Sequence, residues 1–445
     1  MADAPEMIPG PADLGPVLAE GGLERGVLGL RMSGVPLASI ADAVGTPTYV
    51  YSADVITRRF QALDQVFSAV PHRICYAVKA NSNLAVLKVL KDCGAGADIV
   101  SGGELQRAFA AGFGAGHIVF SGVGKSRAEL RLAAEYDVGH VNVESIEELK
   151  LLAEVADEMA RDVRVGIRVN PDVTAETHPY ISTGQGGIKF GVPADQVLPA
   201  MSIIRRSPRL KLTCLAMHLG SQLTDPAPYA QGVARLLHLI AEVRAVGAQE
   251  LDAVDIGGGL GIRYGAEPGI DLDRYAAAVV TPLRPLGLTV YVEPGRYLVG
   301  SAGVLLTEVM YRKHSGGKDF VIVDAAMNDL LRPSLYRAWH GIAEVTPKGR
   351  AVKPVDVVGP ICETGDFLAL GRPMPGVEPG ERLAILGAGA YGFVMSSNYN
   401  TRARAAEVLI RDGAWHVVRP REQVDDLFRT EAVDPFTPTT VGKSK

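Results

Sequence analysis

The chain has 445 residues, 47% of them hydrophobic, with a formal net charge of −5, so it can build two or more cores and carries no basic run suited to a nucleic-acid partner. Its four cysteines, Cys75, Cys93, Cys214 and Cys362, are widely spaced without a CxxC pair, which excludes an evident zinc site or disulfide framework. An early acid, Asp3, and the lack of any apolar run of membrane-spanning length point to a cytoplasmic protein that acts on a small molecule.

The first 45 residues are short apolar pieces punctuated by glycine and proline, which cannot form a core alone and must pack on something else. From Thr48 a regular alternation begins, with helical stretches at 83–91, 104–111 and 145–159 set among strand-like runs. Those runs fall at 75–79, 97–101, 117–121, 140–144, 163–170, 212–219, 253–257 and 289–293. Eight strand and helix units in about 250 residues predict a closed β/α barrel of the TIM type. An open doubly wound sheet would show a glycine-rich phosphate fingerprint after its first strand, and none is there. After Gly295 the pattern becomes runs at 303–311, 319–323, 351–358, 382–386 and 405–410, rich in Val, Leu and Ile, which read as a second, all-β domain. The tail after about Arg429 is mostly polar and is expected to fray.

Barrel chemistry sits where strands end, and several polar residues fall there. Lys79 closes the first run, where burial would lower its pKa and make the amine a nucleophile for a carbonyl; a strand-end lysine can equally point into water. His218, Ser221 and Gln222 follow the sixth run, Gly257, Gly258 and Gly259 the seventh, and Glu293, Gly295 and Arg296 the eighth. Glycine amides opposite a lysine could cradle a phosphate.

The motifs Tyr76-Ala77-Val78-Lys79-Ala80-Asn81, Ser101-Gly102-Gly103-Glu104-Leu105, His218-Leu219-Gly220-Ser221-Gln222, Gly257-Gly258-Gly259-Leu260-Gly261, Glu293-Pro294-Gly295-Arg296 and Cys362-Glu363-Thr364-Gly365-Asp366 resemble those of the diaminopimelate decarboxylase family, in the alanine-racemase-like class of pyridoxal phosphate enzymes. The resemblance runs from about Thr46 to Phe428. It implies an N-terminal segment (1–45) that completes the β domain, a pyridoxal-phosphate-binding barrel (46–296), a C-terminal β domain (297–430) and a tail (431–445). It also implies a homodimer with active sites shared between protomers.

By the same resemblance Lys79 is the Schiff-base lysine, His218 stacks on the cofactor ring, and Ser221, Gly257 to Gly259, Gly295 and Arg296 hold the cofactor, with Tyr391 nearby on cofactor or substrate. Glu293 is similar to the carboxylate facing the pyridine nitrogen, which keeps that nitrogen protonated and favours decarboxylation over racemisation. Arg296, Arg332 and Tyr336 resemble the residues on the substrate's distal carboxylate, and Glu363 the one on its distal ammonium. Cys362 is the implied proton donor. Residues 178–191 resemble the family's active-site loop, with Ile188 where a serine often precedes the lysine, Lys189. The activity implied is decarboxylation of meso-2,6-diaminopimelate to L-lysine. A decarboxylase for another basic or carrier-linked amino acid, or a non-catalytic pyridoxal phosphate carrier, are the alternatives; the β domain and Cys362-Glu363 speak against the carrier.

Overall fold

A computed structural model describes residues 14–27, 29–173 and 189–433. Eight parallel strands, His72–Ala77, Gly96–Ile99, Ile118–Phe120, His140–Val143, Val163–Asn170, Leu210–Ala216, Ala253–Asp255 and Thr289–Val292, pair in chain order. The last returns to the first, with Val290 opposite His72, and the ring closes as the alternation predicts. Such strands are covered on both faces, which is why their sequences run apolar rather than alternating. Among the polar side chains that interrupt the runs, Asp98, Asn142 and Asp255 are almost completely buried.

Helices connect the strands, and their starts are written in short polar side chains that accept an otherwise orphaned amide. Asn83 opens Leu84–Asp92, Ser101 opens Gly102–Ala110 and Ser145 opens Ile146–Met159. Ser126 and Glu129 form a reciprocal capping box on Arg127–Glu135. The expected strand end at Lys79 is corrected locally: the strand stops at Ala77, and a 3₁₀ turn, Val78–Ala80, carries the lysine out of the ladder. No helix among the described residues is long and apolar enough to cross a membrane.

The second domain is a sheet in the order Phe367–Pro375, Val352–Val358, Lys318–Val323, Gly303–Ser315, Thr48–Ser52, Ala406–Arg411 and Ala414–Arg419. Arg382–Ile385 pairs with both Gly303–Ser315 and Ile342–Glu344. Thr48–Ser52 was expected within the barrel region beginning at 46; it is instead a strand of this sheet, antiparallel to Gly303–Ser315 and parallel to Ala406–Arg411. Its alternation explains the choice. Tyr49 and Tyr51 enter the large core shared with the barrel, whereas Val50 faces a separate core with Val304, Leu306, Ala384 and Val408. The N-terminal segment covers that second core with Leu18, Leu30, Met32, Leu37 and Ile40, and forms its own small sheet of Leu23–Gly26, Gly29–Met32 and Val35–Pro36. One backbone bond, from Leu30 N–H to the Val345 carbonyl at 2.7 Å, ties it to the β domain. Residues 434–445 of the polar tail lie outside the described residues.

Candidate active site

At the carboxyl ends of the strands Lys79 Nζ lies 3.1 Å from Oδ2 of the fully buried Asp98. Burial alone would lower the lysine's pKa, as its position suggested. Burial remains the largest single effect, but Asp98, Tyr391 and Glu293 together outweigh it, and the net shift is upward. The amine is therefore held as an ammonium, ion-paired to the neighbouring strand.

Three further groups complete the barrel end. His218 Nδ1 accepts the Gly258 N–H at 3.1 Å, and burial, with Arg168 and Lys79 nearby, holds the imidazole well below its ordinary pKa. The ring is neutral. Glu293 accepts from Ser121 Oγ at 3.0 Å, and its pKa lies well above the usual carboxylate range because of burial first and the carboxylates of Asp255 and Asp98 next. Asp255 accepts the Gly257 N–H at 2.8 Å and is pushed up to about 6, chiefly by burial. Lys79, Ser121, Asn142, Arg168, His218 and Glu293 line one cavity of about 330 Å³.

The glycine run is required by contact as well as by backbone angle. A Cβ on Gly258 would lie 2.1 Å from the Glu293 carbonyl oxygen, and Gly257 and Gly259 have φ of +72° and +99°. Two of its amides already serve His218 and Asp255. Gln222, also at positive φ, brackets the Ile262 backbone with its amide, donating at 2.7 Å and accepting at 3.3 Å.

Beside the cavity two arginines are buried together. Arg296, on the short helix Arg296–Val299, donates to Tyr264 Oη at 2.7 Å and to Ser221 Oγ at 3.0 Å, and its guanidinium lies 4.8 Å from the Tyr391 ring centre. Arg332 opens the helix Arg332–Tyr336, is joined to His340 Nε2 at 2.7 Å and stacks 4.7 Å from the Tyr264 ring centre. Each arginine is 7% exposed, and among the described residues neither is ion-paired to a carboxylate. Tyr391 N–H donates to the Ala80 carbonyl at 2.8 Å, and a Cβ on Gly295 would fall 2.9 Å from the Ala80 Cβ, so this cluster abuts the lysine turn. Tyr336 is half-buried at the end of its helix.

Cys362 and Glu363 are placed differently: both are exposed on the second domain, and neither lines the Lys79 cavity of its own chain. The Cys362 amide donates to Asn400 Oδ1 at 2.9 Å. Of the loop at 178–191, residues 178–188, including Ile188, lie outside the described residues; Phe190 sits 4.9 Å from the Arg168 guanidinium. Sequence reasoning passed over Asp98, Ser121, Asn142, Arg168, Asp255, Tyr264 and His340. For Asp98, Asn142, Arg168 and Asp255 a signal existed: each is a polar residue inside a run read as a buried parallel strand.

A closed barrel with a rim lysine among buried carboxylates, completed by a β domain, defines the class of the pyridoxal-dependent decarboxylases, and residues 53–300 match that family's pyridoxal binding domain. A diaminopimelate decarboxylase of Pseudomonas aeruginosa is 49% identical over 91% of this chain and 97% of its own. One of Vibrio cholerae is 45% identical over 90% and 96%. The crystal structure of diaminopimelate decarboxylase from Helicobacter pylori complexed with L-lysine is 41% identical, superposes with a TM-score of 0.85 and covers 88% of this chain and 98% of its own. The chain belongs to the diaminopimelate decarboxylase family.

Proposed function

We propose that the chain decarboxylates meso-2,6-diaminopimelate at its D-configured centre, releasing carbon dioxide and L-lysine in the last step of lysine biosynthesis, with pyridoxal 5'-phosphate as cofactor. The observation that carries the substrate reading is the pair Arg296 and Arg332, two buried cations beside the lysine cavity that have no carboxylate partner among the described residues. Buried charge is costly unless matched, and a substrate carboxylate supplies the match. Lysine, ornithine or arginine as substrate would bring no distal carboxylate to them.

The residues suit the cofactor. The glycines of the Gly257–Gly259 turn pack it closely on the Glu293 backbone, and Ser221, Gly295 and Arg296 stand at the same rim, where they would hold a phosphate. When bound, pyridoxal phosphate supplies an electron-poor ring that accepts the electron pair left as carbon dioxide departs. Lys79 offers the amine that holds the aldehyde, and Asp98 fixes its direction. His218, neutral and tethered to Gly258, offers a flat face. Glu293, whose pKa burial and the Asp255 and Asp98 carboxylates raise, is the group that would face the ring nitrogen and keep it protonated. Tyr336 and Tyr391 border the substrate end, Glu363 meets the distal ammonium, and Cys362 delivers the proton that replaces the lost carboxylate on the α-carbon.

Cys362 and Glu363 are exposed in the single chain, which supports a homodimer in which they reach the partner's barrel. We place the enzyme in the cytoplasm. The test is direct. Purified protein loaded with pyridoxal phosphate is offered meso-diaminopimelate, L-lysine, L-ornithine and L-arginine while carbon dioxide and the visible absorbance are followed. Turnover of meso-diaminopimelate alone is expected; preference for any of the other three would overturn the assignment.

A further inference from the structure

We infer that His340, in the second domain, is a positioning residue for recognition of the distal carboxylate: its Nε2 holds the Arg332 guanidinium in one orientation without cancelling its charge. The inference rests on the substrate reading above and adds a residue to it. His340 is completely buried, and both ring nitrogens are engaged. Nδ1 lies 2.8 Å from the Leu386 carbonyl, an acceptor only, so Nδ1 carries the proton and donates. Nε2 then has a lone pair, which accepts from Arg332 Nη1 at 2.7 Å. The backbone around the ring is equally fixed: the His340 carbonyl accepts from Arg372 Nη1 at 2.6 Å, and Leu386 N–H donates to the Gly341 carbonyl at 2.8 Å.

Tyr264 completes the arrangement. Its ring meets His340 edge-on at 5.2 Å between centres, lies 4.7 Å from the Arg332 guanidinium, and its hydroxyl accepts from Arg296. A guanidinium stacked on one ring and tethered at one nitrogen has its plane set, so its remaining N–H edge faces a ligand in a fixed direction. The neutrality of His340 matters here. A glutamate or aspartate in its place would tether Arg332 as well, but would satisfy the charge internally and leave less of it for a substrate carboxylate.

Equilibrium binding to the holoenzyme separates this role from a structural one. L-Lysine carries the carboxylate that Arg332 would bind, and 1,5-diaminopentane is the same diamine without it. In Arg332→Ala the preference for L-lysine should fall sharply, with Arg296 retaining a part of it; if it is undiminished, the reading of Arg332 as a substrate residue fails and takes the role of His340 with it. With that control satisfied, His340→Asn keeps an amide near the Leu386 carbonyl but is too short to reach Arg332. It should weaken L-lysine by about ten- to a hundredfold, the cost of one charge-assisted bond, and leave diaminopentane unchanged. His340→Gln places an acceptor oxygen nearer Nε2 and should recover most of the loss. Wild-type binding of L-lysine by His340→Asn would overturn the proposal. So would equal losses for both ligands, or failure of both variants to fold, because either outcome makes His340 structural.

Discussion

At Lys79 burial is opposed by a set of neighbours, the foremost of them a residue one strand away. Burial pulls the amine toward neutrality more than any one neighbour opposes it, and Asp98 at 3.1 Å, Tyr391 and Glu293 together carry it back past its starting value. Lys79→Ala should abolish both turnover and fixation of the cofactor by borohydride; since it also leaves the buried Asp98 without its cation, the melting temperature of the apoprotein should fall, and circular dichroism confirms that the variant compared is folded. A variant that still turns over near the wild-type rate would remove Lys79 from the chemistry. Lys79, His218, Glu293 and Arg296 were legible because each stands beside glycines or at a strand end, where a polar residue is conspicuous. Asp98, Asn142 and Asp255 carry a fainter signal: each interrupts an apolar run, but sequence alone does not tell a polar side chain that lines the barrel from a mere interruption of the strand. The direction of the Lys79 shift failed for the same reason: its cause lies across the ladder, where Ala77 pairs with Asp98.

Whole strands were easier to read than their allegiance. The eight barrel runs follow from alternation, but Thr48–Ser52 has the composition of any buried strand, and only its partners, Gly303–Ser315 and Ala406–Arg411, decide which sheet it joins. Phe367–Pro375 and Ala414–Arg419 fall outside the runs named from sequence because Pro373 and Pro375 in the first and Arg419 in the second dilute the β signal; both are edge strands, where such residues are tolerated. Within the barrel, His140 gives a test of how the strands are buried. It lies on His140–Val143, edge-on to Tyr291 at 4.9 Å, and burial, with Arg164 and Arg73 nearby, lowers its pKa from 6.5 to about 3. Its folded pKa is below its unfolded one, so between pH 6.5 and about 3 the unfolded chain binds the extra proton and stability falls as the medium is acidified. Glu104, Asp255 and Asp329, raised by burial to about 7, 6 and 7, act in the opposite sense, so wild type alone would show a muted slope. The difference between wild type and His140→Phe cancels those groups. Urea unfolding of both at several pH values should show wild type losing about 1.4 kcal/mol per pH unit relative to the variant below pH 6.5. A pH-independent gap would mean that the imidazole already titrates in the folded barrel.

On the scale of the whole molecule, the unresolved matter is how an exposed Cys362 could serve a cavity that its own chain builds without it. Sharing between protomers answers this and makes a quantitative claim about mixtures. Lys79→Ala and Cys362→Ala chains, each inactive as a pure dimer, are unfolded and reassociated together. Random pairing makes half the dimers mixed, and every mixed dimer has one barrel that keeps its own Lys79 and receives Cys362 from the other chain. The second barrel of that dimer lacks both. Activity should therefore return to roughly a quarter of wild type, as an isologous dimer with shared sites requires. Were Cys362 to serve the barrel of its own chain, no mixed dimer would contain an intact site, and the mixture would stay as inactive as its parents. The measurement is made across a range of protein concentrations, because dissociation on dilution would also suppress activity; recovery that rises with concentration to a plateau near a quarter distinguishes assembly from chemistry.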